Sequence, residues 1–506
     1  MTFKRASGIL LHPTSLHGPY GIGDIGHTAK RWIEFLCSAG SRLWQVLPLG
    51  PTGYGDSPYQ CFSAFAGNPY LISIDRLLEM NLLHPDNLDN SPKFLNDHVD
   101  YGRVIKWKGH ILNLAFQNYR AHSPTALKEE FEHFQSKESN WLDDYSLFMA
   151  IKEIHGGTPW FQWGKALRQR QPEMIENFRK NHAENIARYA FKQFLFFRQW
   201  AELRTHAKKL GMIIIGDIPI FVAHDSSDVW ANPELFYLDE KGYPTIVAGV
   251  PPDYFSETGQ KWGNPLYRWE VHAQDGYMWW QKRMRAVLKV VDIVRLDHFR
   301  GFAGYWAIPA GEDTAVNGRW LPGPGADFLQ TMLDNLGDLP IIAEDLGEIT
   351  PDVIKLRDQF DLPGMKILVF AFDGDSGNEF LPHNYIPNCI VYTGTHDNDT
   401  VEGWYRRINE TERHFTRRYL NCDASNISWD LIRAAWSSVA VFAIAPMQDV
   451  LSLDNSARMN YPSQAGGNWT WRMPPDALND KLRDRLKELN KLYGRQHSLS
   501  KIVEDL

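Results

Sequence analysis

The chain is poor in cysteine, has no long apolar run and carries no large excess of either charge. Its 506 residues include four cysteines, Cys37, Cys61, Cys389 and Cys422, with no CxxC or CxH spacing. That excludes a zinc ribbon and a disulfide-stapled secreted framework, and suits a reducing compartment, so a cytoplasmic location is expected. Lys and Arg total 53 against 61 Asp and Glu, a net charge of −8. No basic stripe is available to neutralise phosphates, so nucleic acid is not an expected partner. The most apolar charge-free stretch, Ala434 to Gln448, contains Ser437, Ser438 and Pro446 and falls short of the roughly 20 apolar residues of a membrane span. Near the start, the apolar run Ala6 to Leu11 stops at His12-Pro13, too short for a signal sequence and better suited to a first strand. Low-complexity tracts, Gly/Ser linkers and short repeats are missing too.

What is present is a globular balance, 43% hydrophobic and 23% charged, long enough to bury a large core without staples. Aromatics reach 13%, with 19 Trp and 20 Tyr, and many sit in polar, Gly-rich segments. Flat rings with a polar tip suit the C–H faces of sugars. On composition alone, however, filling a large core is the simpler account.

The recurring pattern is a short apolar strand ending in a polar or charged residue, then a loop, then a helix. Strands are predicted at Gly8–Leu11, Arg42–Leu47, Met212–Phe221, Asp292–Asp297, Pro340–Asp345, Met365–Phe372, Cys389–His396 and about Phe442–Leu451. Helical periodicity lies between them, at Thr28–Ala39, Asn185–Leu210, Tyr277–Val290, Ala326–Leu336, Pro351–Phe360 and Ser428–Val439. Eight alternating units predict an α/β fold, a (β/α)8 TIM barrel, through right-handed parallel crossovers. Such a barrel uses about 250 residues. The remainder of the 1–506 catalytic unit is therefore expected as insertions on the catalytic face: a helical subdomain at 68–184, an elaborated loop over the cleft at 223–275 and a smaller insertion at 311–325.

Four predicted strands carry acids at or near their C-terminal ends: Asp217 in GDIPIFV, Asp297 in DIVRLDHFRGF, Glu344 and Asp345 in IIAEDLGE, and Asp397 in YTGTHDND. Alternation places Arg295 and Asp297 on one face, where a guanidinium favours the ionised carboxylate. Glu344 shares a face with Ile342 while Asp345 points the other way, so only one of these neighbours projects fully into a barrel mouth. Taken singly, a strand-end acid reads as a cap or a salt-bridge partner. Several on one barrel face match retaining glycoside chemistry, in which an ionised carboxylate attacks the anomeric carbon and a protonated one serves the leaving oxygen. Asp297 beside Arg295 fits the nucleophile. Glu344, with more reach and an apolar strand before it, fits the acid, and Asp397 beside His396 fits hydroxyl binding.

These segments resemble the signature regions of the 4-α-glucanotransferase family, the amylomaltases or disproportionating enzymes of glycoside hydrolase family 77. LLHPTSLHGPYGIGD, PLGPTGYGDSPYQ, FAGNPYL, GVPPDYFSETGQKWGNPLY and the stretch from Met447 to Arg472 extend the resemblance over nearly the whole chain, in order. It implies a (β/α)8 barrel with insertions and double displacement through a covalent glucosyl-enzyme. It also implies Asp297 as nucleophile, Glu344 as acid/base and Asp397 as transition-state stabiliser. Arg295, His396 and Asp217 would line the cleavage subsite with His298 nearby, and Tyr59 would stack there with Ser57 and Asp56 in its loop. Tyr254 and Phe255 would arch over the cleft, followed by Trp262 and Asn264, with Asn468, Trp471 and Arg472 as weaker candidates. The implied partners are α-1,4-glucan donor and acceptor chains, whether maltooligosaccharides, starch or glycogen, with no cofactor, metal or obligate protein partner. The alternative is a retaining α-1,4-glucan hydrolase of the α-amylase kind. Against it, Ile-Pro-Ile-Phe follows Asp217 where the amylase-type region has an Asn-His pair. Glycines 21, 23 and 26 match GxGxxG, but without a following βαβ unit they do not make a dinucleotide loop.

Overall fold

The computed structural model describes residues 3–252, 256–462, 464 and 466–496. Twelve strands occur among them, in chain order β1 (Ala6–Leu10), β2 (Leu43–Gln45), β3 (Ile213–Pro219), β4 (Ile246–Val250), β5 (Gln260–Pro265) and β6 (Ile293–Asp297). They continue as β7 (Gly304–Pro309), β8 (Arg319–Pro322), β9 (Ile341–Ala343), β10 (Gly364–Ile367), β11 (Cys389–Tyr392) and β12 (Phe442–Pro446).

Eight form one parallel sheet in the order β10-β11-β12-β1-β2-β3-β6-β9. The two edges meet through Ala343 N, which donates to Pro363 O at 3.0 Å. Met365 N also donates to Asp345 Oδ1 at 2.7 Å. The predicted (β/α)8 barrel is thus present, with all eight predicted strands in place. Several are shorter than the reading gives. Met447–Val450 is a helical turn instead of strand, and Leu368–Phe370 is a 3-10 turn. The C-terminal residues leave the ladder because side chains take over: Thr393 Oγ1 donates to Asp449 Oδ2 at 2.6 Å, fixing the end of β11.

Helices wrap the barrel with their apolar stripes inward. In His27–Ser38 the buried residues are Ala29, Trp32, Ile33 and Leu36, the 3-4 spacing of one helix face. Between β2 and β3, long helices at Tyr101–His122, Thr125–Ile154 and Ala183–Lys209 join the barrel in one continuous apolar core. No helix among the described residues is long and apolar enough to cross a membrane.

The 223–275 segment departs from the reading of an elaborated loop. It supplies β4 and β5, which join β7 and β8 in an antiparallel sheet of order β5-β4-β7-β8. The 311–325 segment is part of the same sheet, through β8. Its own small core is Val247, Ile308 and Ala315. The glycines of GIGDIG serve packing: a Cβ at Gly23 would collide with Pro13 O, and one at Gly21 with the Phe94 ring.

Candidate active site

Parallel register builds the site. Asp217 on β3 lies opposite Arg295 on β6, and Arg295 lies opposite Ile342 on β9. Directly paired residues share a face of the sheet, so all three point into the barrel, and Glu344, two residues beyond Ile342, emerges level with Asp297. Arg295 is buried and bridges two carboxylates, Nη1 to Asp217 Oδ2 at 2.6 Å and Nη2 to Asp297 Oδ1 at 2.9 Å. Its Nε donates to Met365 Sδ at 3.4 Å. Tyr59 OH donates to the same Asp217 Oδ2 at 2.7 Å. Burial pushes the Asp217 carboxyl up to about 7, with Arg295 pulling the other way. Its Oδ1 is buried and has no partner among the described residues.

Glu344 is held from the loop that follows Asp297. His298 N donates to Glu344 Oε2 at 2.6 Å, and Phe299 N donates to Glu344 O at 3.0 Å. Loss of solvation holds the Glu344 carboxyl well above the usual carboxylate range, with Arg295 opposing and Asp297 reinforcing. Asp345 faces away from the mouth, as alternation requires, paired with Arg357 Nη1 at 2.5 Å. Burial lowers His298 to about 4 and lowers His396 as well, so both imidazoles are neutral at neutral pH.

Asp397 stands exposed on the turn after β11. Its Oδ1 accepts from Asn460 Nδ2 at 2.7 Å, its carbonyl accepts from Arg458 Nη2 at 2.6 Å, and its Oδ2 lies 3.4 Å from His396 Nε2. The Tyr59 ring stacks on His396 with centroids 5.1 Å apart, and Trp469 packs against both. Trp262 meets His298 edge-on at 4.8 Å. A single cluster thus contains Asp217, Arg295, Asp297, Glu344, Asp397, His396, His298, Tyr59 and Trp262.

A carboxylate paired with arginine, a second carboxyl whose pKa burial raises and a rim of histidines and aromatics can perform acid/base-assisted nucleophilic displacement at a sugar. The model of glycoside hydrolase family 77, 4-alpha-glucanotransferase, matches residues 11–479. The chain belongs to this family. It is 53% identical over 500 residues to a 4-alpha-glucanotransferase of Synechocystis sp., covering 98% of this chain and 99% of that protein. It is 51% identical over 497 residues to one of Thermus thermophilus, covering 97% and 99%. The solved amylomaltase of Streptococcus agalactiae, in complex with acarbose, superposes with a TM-score of 0.95 at 39% identity, over 98% of this chain and all of that one. The activity of the chain is that of the family, 4-α-glucan transfer.

Other expected contact residues of this glucanotransferase are occupied differently. Ser57 Oγ accepts from Tyr59 N at 3.2 Å and so shapes the tyrosine loop, while Asp56 lies half-buried with φ 57°. Asn264 is buried, donating to Val222 O and accepting from Gln60 Nε2. The Asn468 amide is used within its own loop, on Tyr461 and Gln464. Arg472 donates to the carbonyls of Leu95 and Gly18 and clamps two loops together. Tyr254 and Phe255 lie outside the described residues. Asn460, Arg458 and Trp469 were not foreseen individually, although all three lie in the stretch that carries the resemblance.

Composition also resolves here. Of the 19 tryptophans, only Trp107, Trp262, Trp306 and Trp320 are not buried. Three of those four belong to the second sheet, on β5, β7 and β8. Most tryptophan is core, and of what is left over Trp262 reaches the site, through His298.

Proposed function

We propose that Asp297 attacks the anomeric carbon of an α-1,4-glucan donor while Glu344 protonates the departing 4-oxygen, leaving a glucosyl ester on Asp297. Glu344, now a carboxylate, takes the proton of an acceptor 4-hydroxyl, and that oxygen displaces Asp297. Two inversions give net retention. The observation that carries this reading is Arg295 bridging Asp217 and Asp297 at the level where Glu344 emerges with its carboxyl raised by burial. Arg295 holds the Asp297 carboxylate in place by an ion pair, and burial raises the affinity of Glu344 for the proton it gives up.

In this reading Asp217 Oδ1, neutral His396 and Asp397 take sugar hydroxyls, and Tyr59 and Trp262 offer their faces to the rings. Ser57, Asn264 and Asn468 hold the loops that carry those groups, Asp56 takes a sugar hydroxyl from the Tyr59 loop, and His298 acts beside Glu344. Segments 68–184, 223–275 and 311–325 build the cleft walls. Excluding water there and holding a chain end gives the sugar hydroxyl the advantage of proximity. The four free cysteines agree with a cytoplasmic setting.

Incubation with maltotriose alone tests the reaction. Glucose plus a ladder of longer maltooligosaccharides at nearly constant reducing ends is expected. Reducing ends that climb with no longer products would assign hydrolysis instead.

A further inference from the structure

The loop that follows Asp297 reaches into the second sheet with two residues. His298 meets Trp262 of β5, and Arg300 lies with its guanidinium 3.7 Å from the ring centroid of Trp320 on β8. Arg300 is buried at 6% exposure, and Nη2 donates to Thr350 Oγ1 at 3.0 Å. Its Nε and Nη1 are buried with no hydrogen-bond partner among the described residues. Burying a guanidinium with two unmatched N–H groups costs stability, so packing alone does not account for it. Its three neighbours do. Arg300 joins the nucleophile loop, the segment 344–350 that begins with Glu344, and the second sheet.

Between the two catalytic carboxyls sits His298, whose φ of 52° is left-handed, a costly conformation for a side-chain-bearing residue. That conformation accompanies the His298 N–H bond to Glu344 Oε2. We propose that Arg300 is a positioning residue: stacked on Trp320 and tied to Thr350, it holds the loop so that His298 keeps its N–H on Glu344 Oε2 and leaves Oε1 to carry the proton. The inference rests on Glu344 being the general acid.

The groups facing Glu344 are Arg295 and Asp297 from β6 and its neighbour Asp345, and those facing Arg300 are Glu348, Asp352 and His298. An N–H donated to a carboxylate lowers its pKa, so loosening the clamp raises that of Glu344. The experiment compares Arg300→Met with Trp320→Leu, following kcat and KM for maltotriose across pH. Trp320 is 38% exposed, so its replacement leaves the fold intact, and it keeps the Arg300 charge. In both variants kcat is expected to fall about tenfold, with KM within about twofold and the alkaline limb of kcat displaced upward by about 0.5–1 unit. Arg300→Lys should recover part of the loss. A shift in Arg300→Met but none in Trp320→Leu would reduce the effect to charge and overturn the proposal. So would a rise in KM alone, or a loss of melting temperature with normal kcat. Glu344→Gln, run in parallel, tests the underlying assignment separately, since full activity there sinks the acid role whatever Arg300 does.

Discussion

Glu344 and Asp345 are joined by one peptide bond and face opposite sides of the barrel wall. Glu344 looks into the mouth, and Asp345 looks outward onto Arg357 and the backbone of Met365. Glu344→Gln should lower kcat by about 10²–10⁴-fold with the fold intact, read by steady-state rates and far-UV circular dichroism. Asp345→Asn should do the reverse, keeping kcat while losing about 1–3 kcal/mol of stability in denaturant titration. The pH dependence follows from the sign of the Glu344 shift. In the proposed mechanism the first step needs Glu344 protonated, and burial raises its pKa, so the rate should decline on the alkaline side at a pH above the ordinary carboxylate range. That limb should be absent from the residual activity of Glu344→Gln.

At the scale of elements, the joints between strands and helices are made by buried side chains, and Asp449 is one. It accepts from Thr393 Oγ1 at the end of β11 and from Val401 N at 2.8 Å, the first residue of helix Val401–Arg407. Burial raises its carboxyl from 3.8 to about 6. A folded-state pKa above the unfolded one gives stability that is full below about pH 4 and lost as pH rises through about 6. Asp449→Asn removes that loss. The variant should gain on the order of 1 kcal/mol over the parent at pH 8 and nothing at pH 4, measured as unfolding midpoints at the two pH values.

The eight barrel strands were legible because each is an apolar run closed by a polar residue, and the period-2 pattern then sorted Glu344 from Asp345. The second sheet was not legible. Its strands, IVAGV, QKWGNP, GYWAIP and RWLP, are short and hold Gly or Pro, and the sheet closes only where β4 pairs with the distant β7. The left-handed backbone at His298 and the reach of Asn460 to Asp397 depend on such distant pairings, and no local spacing encodes them.

At the scale of the molecule, the segment after the helix Asp480–Leu492 ties back under the barrel to the start of β1. Arg495 is fully buried and donates to the carbonyls of Ala6, Trp436 and Val441, at the entry to β1 and β12. Arg495→Ala should cost about 3 kcal/mol or more, seen as an earlier denaturant midpoint with kcat per folded molecule unchanged.

The barrel is not uniformly closed. Around most of its circumference each strand is laddered to the next, but β9 and β10 meet through Ala343 N on Pro363 O and through the Asp345 side chain on Met365 N. A vessel stretched by heat parts at its thinnest stave, and Glu344 stands at the rim of this one. Local opening needs less free energy than global unfolding, so on warming the enzyme should fall silent before it melts.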